Sequence, residues 1–203
     1  APYQYWVAKK SRYRRRETFR GLFSPLALAN RFDIEITESL QASSMRSHRK
    51  FVREIIDSSN LFSKKKDNLL YIKIKAKDNL IIQDDLSLIY PLEFDDVNYR
   101  TLTSYSSFHY FDFVDFHIFD SPSTSFYSSI CCGIPSILLF NPSVYSIEDE
   151  HIAFFASLRR AGIVVDSGFG LRDSVEKLVV QKKWFDSGCQ SVISEFSSRY
   201  CVR

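Results

Sequence analysis

Hydroxyl groups crowd one short stretch of the chain, Asp120-Ser121-Pro122-Ser123-Thr124-Ser125, and the residues on either side give that stretch a shape. Phe116-His117-Ile118-Phe119 has the length and composition of a buried strand. After the hydroxyls, Phe126, Tyr127, Ile130 and Cys131 recur at roughly helical spacing until Gly133 and Pro135 stop the pattern. Ile137-Leu138-Leu139-Phe140 reads as a second buried strand, punctuated by Asn141-Pro142. Ser123, Thr124 and Ser125 therefore stand where a strand ends and a helix begins. There the unpaired N–H groups and positive pole of the helix suit an anion, phosphate first. The same residue types are also ordinary helix caps that bind nothing.

Strand, turn, helix, strand is a βαβ unit, which builds parallel sheets with ligands at the carboxyl ends of the strands. A second such unit comes earlier. Its helix is predicted from Met45, with Phe51, Val52, Ile55 and Ile56 on one face, after a polar turn at residues 39–44. Its closing strand is Leu69 to Lys75. Phe32 to Thr37 alternates apolar and polar, as a half-solvated strand does. The stretch 76–100 reads as an acidic loop, and the aromatic stretch 104–114 as a short helix. Further on, a helix is predicted from about His151 to Ala161, ended by Gly162, then a short strand at 163–165, then helices at 173–180 and 184–200. The expected fold is α/β: one Rossmann-like, doubly wound, mostly parallel sheet over residues 31–203. Residues 1–30 are set apart as a basic and aromatic N-terminal segment or linker.

Composition narrows the function classes. With 203 residues and 45% hydrophobic content, one well-packed domain is expected. The net charge of +3 is mild, yet Lys9, Lys10, Arg12, Arg14, Arg15, Arg16 and Arg20 crowd one segment that suits an anionic membrane surface, or simply a solvated face. No nucleic-acid partner is expected. Cys131, Cys132, Cys189 and Cys201 lack metal spacing and read as reduced thiols of an intracellular protein. None of His48, His109, His117 and His151 is paired with a Cys or carboxylate at ligand spacing, so no metal is expected. His117 reads as a satisfied core histidine, and His48, on a basic helix, as a group able to meet phosphate. No run approaches a membrane span, and the Ala-Pro start without Met reads as a trimmed or excised chain. G-x-S-x-G, Walker and G-x-G-x-x-G patterns are absent, which removes the main support for hydrolase, NTPase and dinucleotide-dehydrogenase readings.

Asp120-Ser-Pro-Ser-Thr-Ser-Phe followed by Cys132-Gly-Ile-Pro-Ser-Ile resembles the D-x-x-S-T-S…E-A-x-x-x-G-x-P-x-I signature in the C-terminal half of GT-B glycosyltransferases. The likeness is to bacterial surface-polysaccharide enzymes of the capsule and lipopolysaccharide type, including the Kdo-transferase-like group. Phe140-Asn-Pro-Ser-Val-Tyr, the run Phe155 to Ser167, Trp184-Phe185 and Phe196-Ser-Ser-Arg-Tyr are similar to the ending of that group. The likeness covers residues 69–203 well and 32–68 loosely. It implies the donor-binding half of a two-domain enzyme, with Ser123, Thr124 and Ser125 on the donor phosphate. More loosely, it places Ser43, Ser44, Lys75, Lys77 and Glu150 near the nucleotide. It implies no cofactor beyond a nucleotide-sugar donor, such as CMP-Kdo. The implied partners are a glycan or lipid-linked acceptor and an N-terminal GT-B domain in the same or a partner chain. The implied place is the cytoplasm, with peripheral membrane contact through Lys9 to Arg20. No catalytic residue is assigned.

Two departures stand out. The family's K-x-H-P strand end reads Ile74-Lys75-Ala76-Lys77-Asp78 here, and Ser128-Ser129 replaces the Glu that follows S-T-S. These departures favour a second reading, a catalytically degenerate scaffold or interaction module.

Overall fold

Arg20–Ser24, only five residues long, is the strand on which the sheet is built. The computed structural model describes residues 18–25, 38–74, 96–103, 110 and 113–200. Among these residues six parallel strands form one sheet: β1 (Arg20–Ser24), β2 (Leu69–Ile74), β3 (Tyr99–Thr103), β4 (Phe116–Phe119), β5 (Ser136–Leu139) and β6 (Val164–Val165). Their spatial order is β3-β2-β1-β4-β5-β6. That is the Rossmann-like order, in which the direction of winding reverses between the first and fourth strands. The helices flanking the sheet are α1 (Glu38–Ser59), α2 (Thr124–Cys131), α3 (Ile152–Ala161), α4 (Gly168–Val175) and α5 (Ser187–Tyr200). A π turn, Glu176–Val180, continues α4.

β4 and β5 are buried at every position, as strands covered on both faces must be. The core around them is aromatic: Phe23, Phe62, Phe116, Phe119, Phe126 and Trp184 are all fully enclosed. The central position of β1 differs from the sequence reading, which leaves residues 1–30 outside the α/β repeat. Two side chains pin its entrance, where Phe19 N–H donates to Asn68 Oδ1 (2.8 Å) and Arg20 N–H to Asp115 Oδ2 (2.7 Å). Gly21 then passes so close to Phe62 and Phe116 that a Cβ would lie 2.8 Å from the Phe62 ring. Glycine suits this crowding, and by diluting the apolar run it hides the strand from periodicity.

Three other expectations change. The polar turn at 39–44 is helical, because α1 begins at Glu38 and Leu40, Gln41 and Ala42 are good helix formers. The acidic loop ends earlier than read, since β3 starts at Tyr99. Cys131 is disulfide-bonded, whereas Cys132 and Cys189 are in no disulfide, so the reading of four reduced cysteines fails at Cys131. The strand at 32–37, the apolar pieces at 80–82 and 88–90, and nearly all of the basic segment lie outside the described residues, as does most of 104–112. No helix among the described residues is long and apolar enough to cross a membrane.

Candidate functional site

Because the described strands are all parallel, the carboxyl ends of β1, β4, β5 and β6 lie along one edge of the sheet. The crevice between β1 and β4 is where open α/β sheets hold ligands. Ser24 ends β1 beside Phe119, and the chain turns out of β4 at Asp120. Ser123 N–H donates to the Ser121 carbonyl (2.8 Å), closing a tight bend that delivers the chain to the start of α2.

Ser123 is the N-cap of α2, in extended conformation, and its hydroxyl makes no capping hydrogen bond. Ser167, the cap of α4 on the same edge, behaves differently: its hydroxyl accepts the Gly170 N–H at 3.1 Å. Both are Ser caps, but only the second closes on its own helix. The first N–H groups of a helix have no intrahelical acceptor, so the start of α2 keeps donors to offer. Ser123 and Ser125 are half-buried and Thr124 is exposed, leaving the turn open to solvent. No acidic residue stands in the first turn to neutralise the positive helix pole. The arrangement can hold a compact anion by hydroxyl and backbone donors together.

Beneath the turn lies a polar cluster that sequence spacing does not reveal. Asp120 is fully buried at the end of β4, and the fully buried His48 of α1 brings Nε2 to 3.5 Å from Asp120 Oδ2. The His48 ring stacks on Phe51 (centroids 6.4 Å) and meets Tyr145 edge-on (5.6 Å). Tyr145 is placed by the Asn141-Pro142 turn, whose Asn141 carbonyl accepts both the Val144 and Tyr145 N–H groups. Burial, and then the Asp120 carboxylate, push the Tyr145 phenol up to about 12, against the opposing pull of the Ser121 hydroxyl. His48 is thus walled off from solvent, contrary to the expectation that it meets phosphate itself.

Ser43 and Ser44 belong to α1 rather than to a turn facing the crevice. Lys75 and Lys77 lie outside the described residues. Glu150 stands on the loop after β5 with its carboxylate largely exposed, 3.4 Å from His151 Nε2. Histidines 48 and 151 are therefore both paired with carboxylates, unlike the sequence reading. One pairing is tertiary, and the other follows from a 3-10 turn at Asp149–His151. Glu148, Glu150 and His151 bring possible ligand atoms within 4.8 Å of one another, on a largely exposed stretch. His117 conforms to expectation: it is buried, its Nδ1 lies 3.0 Å from Ser129 Oγ, and burial, aided by the charge of Lys73, lowers its pKa to about 3. Ser129, one of the two serines at the family's Glu position, is thereby occupied inside the core.

The motifs behind α2 also meet in space. The Trp184 indole N–H donates to the Gly133 carbonyl at 3.1 Å, and Phe196 packs edge-on against Phe126. The C-terminal elements thus fasten the far end of the helix whose near end forms the turn.

Residues 116–203 match the family described as LIC12162 family transferase, a likeness to a transferase family that covers fewer than half of the chain's residues. No curated protein matches the chain.

Proposed function

We propose that the chain is the donor-binding half of a GT-B glycosyltransferase of the surface-polysaccharide type, taking a sugar activated as a nucleotide, with a CMP-linked acidic sugar such as Kdo preferred. The observation that carries the reading is the open N-terminus of α2: Ser123, a cap residue that does not cap, beside the reversal point of the sheet. The likeness of residues 116–203 to a transferase family supports it from a different direction.

On this reading Ser123, Thr124 and Ser125 hold the donor phosphates. Their hydroxyls and the α2 dipole stabilise the negative charge that grows on the leaving phosphate as the glycosidic bond breaks. Lys75 and Lys77 add positive charge, and Glu150, with Ser43 and Ser44, serves the nucleoside. An N-terminal domain, in the same or a partner chain, holds the glycan or lipid-linked acceptor and aligns it for transfer. The basic segment from Lys9 to Arg20 holds the protein to the inner face of the cytoplasmic membrane.

Titration calorimetry with CMP, UDP and GDP tests the reading. One nucleotide should bind, and Ser123→Ala with Thr124→Ala should weaken it by about 1.5–3 kcal/mol for each hydrogen bond lost to a charged group. Because both side chains reach solvent, folding should be nearly unchanged. Absence of binding by all three nucleotides would favour the non-catalytic scaffold instead. That second reading draws on Ser129, whose hydroxyl is turned into the core at the family's Glu position.

A further inference from the structure

The edge at which the strands begin carries a charge pattern that the donor site does not use. Lys64, Lys65 and Lys66 follow one another in the loop leading into β2, and all three are exposed. That loop is firmly held. Leu61 and Phe62 are buried at its start, Asn68 Nδ2 donates to the Leu61 carbonyl (2.8 Å), and the Lys64 N–H donates to the Asp96 carbonyl (2.8 Å). Lys66 Nζ donates to the Asn60 carbonyl at 2.7 Å, a neutral partner that leaves its charge standing. Asn68 Oδ1 also accepts the Phe19 N–H, and Leu69 N–H donates to the Phe19 carbonyl (3.0 Å), so the loop lies against the point where the chain enters β1. Exposed Arg20 begins that strand. Shortly before it the sequence carries the basic run from Lys9 to Arg16, preceded by Tyr5 and Trp6. The exposed carboxylates beside the loop, Asp67 and Asp96, offset only part of this charge, and Asp57 is paired with Arg53 (3.5 Å).

We infer that the Lys64–Lys66 loop and Arg20 form, with the basic segment that precedes them, one docking surface for anionic phospholipid headgroups, so that the sheet meets the bilayer by its amino edge. The inference takes as its premise the membrane contact of the Lys9 to Arg20 segment and is independent of the donor reading. Clustered lysines and arginines are drawn to the negative surface of a membrane, and each added charge strengthens the attraction. Tyr and Trp favour the layer between headgroups and acyl chains. A loop that is already ordered brings its lysines to that surface without the entropy cost of fixing its backbone. Because the strands are parallel, the hydroxyl turn after β4 stands at the opposite edge, about the length of β1 away, roughly 15 Å. The crevice then faces the water from which a nucleotide-linked sugar arrives.

The test uses the full chain and sedimentation with phosphatidylcholine vesicles, with and without phosphatidylserine. The wild type should bind only the vesicles that contain phosphatidylserine, and high salt should release it. Lys64→Gln, Lys65→Gln and Lys66→Gln together should cut that binding at least about tenfold. The thermal midpoint should stay nearly unchanged, because none of the three side chains is buried. Arg14→Gln, Arg15→Gln and Arg16→Gln together should weaken binding as well. Hydrogen exchange on the vesicles should slow at residues 63–67, while residues 120–127 exchange as they do in solution. If the arginine variant loses the vesicles and the lysine variant keeps them, the loop is an ordinary solvated turn. That result overturns the inference and leaves the contact through the segment standing. Protection at residues 120–127 in place of 63–67 would put the carboxyl edge on the bilayer and overturn it too. A wild type that ignores anionic vesicles removes both the premise and the inference. A lysine variant that keeps the vesicles but loses a single-stranded oligonucleotide would assign the surface to nucleic acid, against the inference.

Discussion

His117 shows what a single buried side chain asks of the solvent. The ring has no exposure, sits on β4 against Ser129, and titrates near 3 in the folded state because charging it would strand a cation in the core, with Lys73 adding repulsion. In the unfolded chain the same group titrates near 6.5. Between these values the unfolded state binds a proton that the folded state refuses. Stability from this residue is therefore complete above about pH 6.5 and declines as pH falls toward 3. Each pH unit within the window is worth about 1.4 kcal/mol, so acidification from pH 6.5 to pH 5 should remove about 2 kcal/mol through this residue. Urea unfolding at pH 7 and pH 5 on the wild type and on His117→Asn isolates the effect, because slopes from the carboxylates are common to both proteins. Equal pH dependence in the two would show that His117 accepts its proton without unfolding. The same residue was legible in the sequence, since a histidine in an otherwise apolar four-residue strand has few places to go but inward.

At the scale of elements, the contact between α1 and α4 is set by an absence of side chain. Gly168 lies against the end of α1, where an added Cβ would fall on the Ser58 hydroxyl and within 2.7 Å of the Ser59 backbone nitrogen. Backbone cannot swing aside as a side chain can, so Gly168→Ala should separate the two helices and cost about 1–3 kcal/mol. Gly188, in the first turn of α5, is the internal control: a Cβ there meets nothing within 4 Å. Alanine at 188 should stabilise by about 0.5–1 kcal/mol through helix propensity and a less disordered unfolded chain. Thermal melts of the two variants should therefore move in opposite directions, and a Gly168→Ala protein as stable as the wild type would refute the close approach. The elements themselves were readable in proportion to how local their signals are. β4, β5 and α2 are short apolar runs bounded by breakers, and α3 carries its stop signal in Gly162, whose φ of 79° fulfils that signal. β1 escaped because only Leu22 and Phe23 mark it as apolar and its glycine answers to Phe62 and Phe116, residues distant in sequence. The start of α1 escaped because its serines suggest caps and turns, although Leu40, Gln41 and Ala42 beside them are good helix formers.

On the scale of the whole molecule, the order β3-β2-β1-β4-β5-β6 makes the β1/β4 crevice a seam between two sets of strands that wind in opposite directions. The hydroxyl turn on one side of that seam is contiguous in sequence and was found by reading residues 116–140. The buried cluster beneath it was not, because His48 and Tyr145 come from α1 and the Asn141-Pro142 turn, which only the fold brings to Asp120. A ligand lying in the seam must touch both sides, and this gives the donor reading a spatial signature. With nucleotide at about one hundred times its Kd, the folded state gains about 2.7 kcal/mol, which for a chain of this size raises the thermal midpoint by roughly 5–10 °C. Hydrogen exchange then locates the gain. Protection should concentrate at residues 24–25 and 120–127, flanking the seam, while the edge strand Tyr99–Thr103 should exchange as it does without ligand. Ser123→Ala with Thr124→Ala should lose most of both effects together. Protection centred instead on residues 148–151, around Glu148, Glu150 and His151, would move the site one strand outward, to the loop after β5. Stabilisation spread evenly along the sheet would mean that the nucleotide acts without occupying the seam at all.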